Sequence, residues 1–165
     1  MSGYRRGLTS MGAALAVVAG MLLSAAPASA SGPAFQFDFP AGTACAGFDL
    51  RIEGYGSGQQ VSRELPGGRI IGAGTGYGLV YTNLATGASL STRANGAVSI
   101  TTTDEDGSST MAMMGHNVVI LFPSDDGGPG VTLYVGKVVV SVGSDGVWSV
   151  QRVSGTATDV CATLS

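Results

Sequence analysis

Phe48-Asp49-Leu50-Arg51-Ile52-Glu53 alternates between apolar and charged side chains. Successive side chains of an extended chain point to opposite faces, so this stretch reads as a half-buried β-strand. Phe48, Leu50 and Ile52 face a core, and Asp49, Arg51 and Glu53 face water. The residue supply around it agrees. Residues 31–165 hold 15 Val, 13 Thr and 5 Ile, but only 3 Glu, 1 Lys and 4 Gln. β-Branched side chains keep their preferred rotamers on a pleated surface and lose freedom in a helix.

Turn residues divide the rest into short strands. Asn95-Gly96, Asp106-Gly107 and Asp145-Gly146 are hairpin signals, and face matching selects the loop length. A three-residue loop Ala94-Asn95-Gly96 with a left-handed Gly96 pairs Leu90 with Ile100 and Thr92 with Val98. The same loop at Ser144-Asp145-Gly146 pairs Val142 with Trp148, Val140 with Val150 and Ser141 with Ser149. A two-residue loop would send Leu90 to the wrong side. The predicted strands are 35–39, 47–54, 59–65, 69–73, 78–82, 88–94, 97–103, 109–114, 117–122, 131–135, 137–143 and 147–153. Phe35, Phe37 and Phe39 alternate with Gln36 and Asp38, so the first strand is expected to lay three rings on the core. The fold class is therefore all-β, a single antiparallel β-sandwich or barrel-like meander. A helical turn within 156–164 is expected to carry Cys161 to Cys45.

The first thirty residues read differently. Arg5 and Arg6 precede a run from Leu8 to Ala26 dominated by Ala, Leu, Val, Gly and Met. Ala28 and Ala30 supply the small residues that a signal peptidase requires, which places cleavage before Ser31. The expected organisation is a signal peptide, 1–30, and one secreted β domain, 31–165, of 135 residues. The apolar run approaches the length of a membrane span, but Pro27 and the Ala-Ser-Ala end suit processing. The Arg5-Arg6 pair leaves the choice between general and twin-arginine export open. Once cleaved, the chain is expected to be extracellular, with no membrane partner.

Charge and cysteines narrow the class further. The whole chain carries a net −3, and residues 31–165 carry 6 basic and 11 acidic side chains, a net −5. There is no basic footprint, so nucleic acid is excluded as a partner. Cys45 and Cys161 are the only cysteines. Outside the cytoplasm they are expected to form one disulfide, closing a loop of more than 100 residues and stabilising it by on the order of 5 kcal/mol. A redox site would need Cys-x-x-Cys, and a metal site needs more ligands than two Cys and one distant His.

Four segments carry a resemblance: Phe39-Pro40-Ala41-Gly42-Thr43-Ala44-Cys45, Gly115-His116-Asn117-Val118-Val119-Ile120-Leu121-Phe122-Pro123, Leu133-Tyr134-Val135-Gly136 and Ala157-Thr158-Asp159-Val160-Cys161. The chain resembles a group of small secreted actinobacterial proteins of unknown function. The resemblance implies secretion and a disulfide-closed β domain, and it transfers no activity.

Few residues of the chain could carry chemistry. His116 is the only histidine, so any His-dependent relay must use it, yet no Gly-x-Ser-x-Gly elbow accompanies it. The alternative is a histidine hydrogen-bonded beside a strand bend. Asp104, Glu105 and Asp106, and Asp125 with Asp126, could offer oxygen ligands to a cation, but neither run follows EF-hand order, and hairpin tips collect Asp for turn geometry alone. Asp49, Glu53 and Glu64 alternate with apolar residues as outward strand positions, which is poor placement for a glycosidase pair. Gly72, Gly74, Gly76 and Gly78 repeat every second residue, unlike a phosphate-binding loop. Tyr55, Tyr77, Tyr81 and Tyr134 could stack on sugars or on a protein partner if exposed together. No catalytic, cofactor-binding or metal residue is assigned, and no cofactor is expected. The expected function is a secreted non-catalytic binding or cell-envelope-associated module, with a protein or carbohydrate partner. The alternative is a secreted hydrolase built around His116 or a carboxylate pair.

Overall fold

A computed structural model describes residues 32–165. Ala28, Ala30 and Ser31, with the signal peptide they would end, lie outside the described residues. The order is β1 (Phe35–Phe39), β2 (Leu50–Tyr55), β3 (Gln60–Leu65), β4 (Arg69–Gly74), β5 (Gly78–Asn83), β6 (Ser89–Thr92), β7 (Ala97–Thr103), β8 (Ser109–Leu121), β9 (Gly130–Val142), β10 (Trp148–Asp159) and α1 (Val160–Leu164). Two antiparallel sheets form, ordered β1-β2-β5-β6 and β10-β9-β8-β7-β4-β3. The fold is all-β, as the strand alternation requires.

The main core lies between the four-stranded sheet and part of the larger one. Leu50, Ile52 and Tyr81 pack with Val131, Val160 and Leu164, flanked by Leu79, Leu90, Val118, Ile120 and Leu133. Cys45 and Cys161 are disulfide-bonded across a Cα separation of 5.5 Å. The bridge fastens α1 to the loop before β2. Asp159 caps α1 by accepting from Ala162 N at 2.9 Å, which satisfies a backbone donor that a helix start leaves free. At the other end, buried Asn83 donates from Nδ2 to the Leu164 carbonyl at 2.9 Å.

The hairpin at Ser144-Asp145-Gly146 has the expected register: Trp148 opposite Val142, Ser149 opposite Ser141 and Val150 opposite Val140. Gly146 is left-handed, with φ +83°. The hairpin expected at Ala94-Asn95-Gly96 does not form. Leu90 pairs with Tyr81 and Thr92 with Leu79, while Val98 and Ile100 pair with Ala73 and Ile71. Residues 93–96 cross from one sheet to the other. Leu90 reaches the main core there, which pairing with Ile100 would have denied it. Gly96 is left-handed within this crossing, with φ +72°, and a Cβ there would stand 2.9 Å from the Gly74 carbonyl oxygen.

The five strands expected over 109–122, 131–143 and 147–153 are three long ones, β8 to β10, crossed by a row of glycines. Gly115 opposes Gly136, which opposes Gly155. Their φ values are +104°, +126° and +126°, a region that residues with a Cβ rarely enter. A Cβ on Gly115 would lie 2.6 Å from the Gly96 carbonyl oxygen, and one on Gly136 or Gly155 would overlap Ser154 or Val135 backbone. The row divides the sheet. Beyond it, Val118, Ile120, Val131 and Leu133 serve the main core. On the opposite face a second cluster forms from Val119, Tyr134, Val138 and Val140, packed by Met111, Met113 and Trp148. No residue of β3, β4 or β7 belongs to either cluster, so these strands extend as a wing.

The rings of β1 are a correction. Phe37 is 57% exposed, although it opposes the buried Ile52. As part of an edge strand, it lies at the rim of the core. Only Phe39 of the three packs against the main core.

Two predictions follow from this packing. Gly136→Ala is expected to cost about 2 kcal/mol or more in chemical denaturation. Gly130→Ala on the same strand, with open space around its Cβ, should change stability by no more than about 0.5 kcal/mol. Equal effects would refute the close approach. Tyr81 is fully buried with no partner for its hydroxyl, and burial holds its pKa above the ordinary value. The phenol's contribution is intact below about pH 10, its unfolded pKa, and is lost as pH rises beyond it. Tyr81→Phe is expected to match or exceed the parent by about 1 kcal/mol at neutral pH and to lose less stability under alkali. A clear loss at neutral pH would mean the hydroxyl has a partner.

Candidate functional site

The wing and the second cluster enclose a groove of about 360 Å³. Tyr77, Asn117, Ser99, Gln59 and Gln60 supply its polar groups, with Met111 and Met113 as its apolar wall. Pairing explains the meeting. Ser99 opposes Gly72 and Met113 on either side, so the groove floor comes from alternate residues of β4, β7 and β8. Gly72 has no side chain to fill that floor. Tyr77 hangs from the loop between β4 and β5, and its ring covers Gly58, where a Cβ would collide with it.

Asn117 is 9% exposed, and its Nδ2 has no partner. A buried amide N–H without an acceptor is costly, and a ligand oxygen would satisfy it. No Asp, Glu, His, Lys or Arg lines the groove. It can form hydrogen bonds and stack, but it offers no group to move a proton near neutral pH.

Aromatic rings lead away from this groove along β1. Tyr77 meets Phe35 edge-on at 5.0 Å between centroids. Phe35 to Phe37 is 5.4 Å, Phe37 to Phe39 is 6.4 Å and Phe39 to Phe122 is 6.3 Å. Phe37 and Phe122 are well exposed. The expected tyrosine set does not share a face: Tyr81 and Tyr134 are buried, while Tyr55 is 37% exposed. The phenylalanines, read from the sequence as core, form the accessible ring row instead. Their edge-strand position was the missing information.

His116 lines a neighbouring cavity of about 270 Å³ that shares Tyr77 and Asn117 with the groove. Asn95 Nδ2 lies 3.2 Å from His116 Nε2. An amide nitrogen only donates, so Nε2 is the acceptor. That cavity holds Arg93 and Thr92 but no Ser and no carboxylate, and the Thr92 hydroxyl donates to the Leu79 carbonyl. The elements of a Ser-His-Asp relay are not brought together there.

The carboxylates serve local structure. Asp49 accepts from Ala41 N at 2.7 Å. Asp125 accepts from Phe122 N and Trp148 N at 2.7 and 3.0 Å. Asp106 accepts from the Ser108 hydroxyl and amide, and these bonds lower its pKa. Asp38 forms a two-point pair with Arg51 at 2.8 Å; the Arg51 hydrogen bonds hold its carboxyl below the usual range. Glu53 lies on β2 and Glu64 on β3, in different sheets. Among the described residues, no three His, Cys, Asp or Glu side chains gather as a metal set. No helix among them is long and apolar enough to cross a membrane. No known protein family, curated protein or solved structure matches the chain.

Proposed function

We propose that this protein is an exported, non-catalytic binding module whose ligand is a neutral carbohydrate. The observation that carries the reading is the uncharged groove at Tyr77 and Asn117, from which the ring row of β1 extends. Sugars present apolar C–H faces to aromatic rings and hydroxyls to amides and side-chain oxygens. A groove of this composition offers both and spends no energy desolvating a charge. The disulfide and the leader-like residues 1–30 support export, and the low charge of the groove supports binding without turnover. His116, bonded to Asn95 and distant in role from any acid, supports a structural part for the histidine rather than a hydrolytic one.

The test is binding of the purified protein to neutral oligomers of glucose, N-acetylglucosamine, xylose and mannose, followed by calorimetry. At least one should bind. Tyr77→Ala and Phe37→Ala should each weaken binding about ten-fold, with His116→Ala unchanged. The same preparation should begin at Ser31. No binding to any of the oligomers would refute the reading, as would their hydrolysis in a His116-dependent manner.

A further inference from the structure

The wing carries a second surface, on the side away from the groove. Paired residues of neighbouring strands share a face, so the register defines its rows. One row crosses the whole six-stranded sheet as Arg63, Ile71, Ile100, Ala112, Val139 and Arg152. Five inter-strand steps of about 4.8 Å put its two arginines about 24 Å apart. The next row runs Val61, Ala73, Val98, Met114 and Lys137 and ends at Ser154. Val61 is 71% and Met114 42% exposed. Arg69, opposite Thr102, adds a fourth cation on the row beyond.

Charge is sorted sharply here. Residues 32–165 hold six Lys and Arg, and four of them stand on this face. None of the eleven Asp and Glu does. Glu64 alternates to the opposite side of β3, and Asp104, Glu105 and Asp106 lie beyond the Thr102 end, in the turn between β7 and β8. Between Arg63 and Arg152, and between Val61 and Lys137, the two rows contain no side-chain donor or acceptor, and the backbone groups of the inner strands β4, β7, β8 and β9 are paired on both sides within the sheet. Recognition by the strip therefore rests on apolar contact and positive charge, the hydroxyls of this face lying beside it, in the row of Thr102, Thr110 and Ser141 and at Ser154. Self-association face to face would set cation against cation.

We propose that this face docks on the surface of an anionic lipid bilayer. The apolar strip meets the acyl boundary, while Arg63, Lys137 and Arg152 lay their stems along it and reach the phosphates. A bilayer supplies both parts without requiring directional contacts, whereas a soluble polyanion supplies only the charge. This departs from the expectation, drawn from the linear sequence, that the domain has no membrane partner. It is independent of the carbohydrate reading, which concerns the other face.

The experiment is co-sedimentation of the purified protein, starting at Ser31, with phosphatidylcholine vesicles containing or lacking phosphatidylglycerol. Binding is expected only with phosphatidylglycerol and should be lost at high salt. Arg63→Gln with Arg152→Gln should weaken it about 25-fold, at roughly five-fold per cation. Arg63→Lys with Arg152→Lys should retain it. Val61→Ser with Met114→Ser should weaken it about ten-fold or more. Any of these results would overturn the proposal: equal binding to neutral vesicles, no effect of either weakening pair, equally tight binding of soluble poly-glutamate, or a dimer that forms through Val61 and Met114. Loss of vesicle binding through Tyr77→Ala alone would assign it to the groove and equally overturn it.

Discussion

Gly115, Gly136 and Gly155 stand side by side across three long strands, at points where neighbouring backbones leave no room for a Cβ. Positive φ at each position and the carbonyl oxygens pressed against them restrict all three positions to glycine. It lets one sheet serve two purposes. Beyond the row, β8 and β9 cover the four-stranded sheet and form the main core with it. Before the row, the same strands carry the second cluster on one face and join β7, β4 and β3, a wing that contributes to neither cluster. A side chain on any of the three glycines would push the strands apart and change how the halves meet.

The alternation at Phe48–Glu53, the richness in Val and Thr and the hairpin at Asp145-Gly146 made the strand class and one register legible, because each depends on near neighbours in the chain. Cys45 and Cys161 could pair in only one way. Other features depended on distant partners. Leu90 and Ile100 have the alternation of a hairpin, but Leu90 is claimed by Tyr81 and the core of the other sheet. Gly115 and Gly136 looked like breaks between short strands, since nothing local distinguishes a strand end from a glycine packed against a neighbouring backbone. Phe37 has the pattern of a core residue, and its exposure follows from β1 being an edge. The groove could not be read at all. Its residues come from five separate stretches, and its signal, an absence of charge around Tyr77, Ser99 and Asn117, exists only after folding.

The two faces of the wing have opposite chemistry. One gathers hydroxyl and amide groups around Tyr77 and adjoins a row of rings. The other sets an apolar strip between cations. Alternation along β3, β4 and β7 creates this contrast, since Gln60, Ser62 and Glu64 face one way and Val61, Arg63 and Leu65 the other. A wing that contributes to neither core retains such faces because burial does not select their residues. Both surfaces then depend on the glycine row, which holds the wing to the core through continuous strands rather than through side-chain packing.

That division has a direct energetic signature. Strands held by core packing open only with global unfolding, whereas strands held by their ladder alone open at lower cost. Native-state hydrogen exchange measures this amide by amide. Val118 to Leu121 and Val131 to Val135 are expected to exchange as slowly as Leu50 to Ile52, at the free energy of global unfolding. Amides of β3 and β4 should exchange through a smaller, separate opening. Protection of the β3–β4 hairpin equal to that of the main core would contradict a sheet divided at the glycine row.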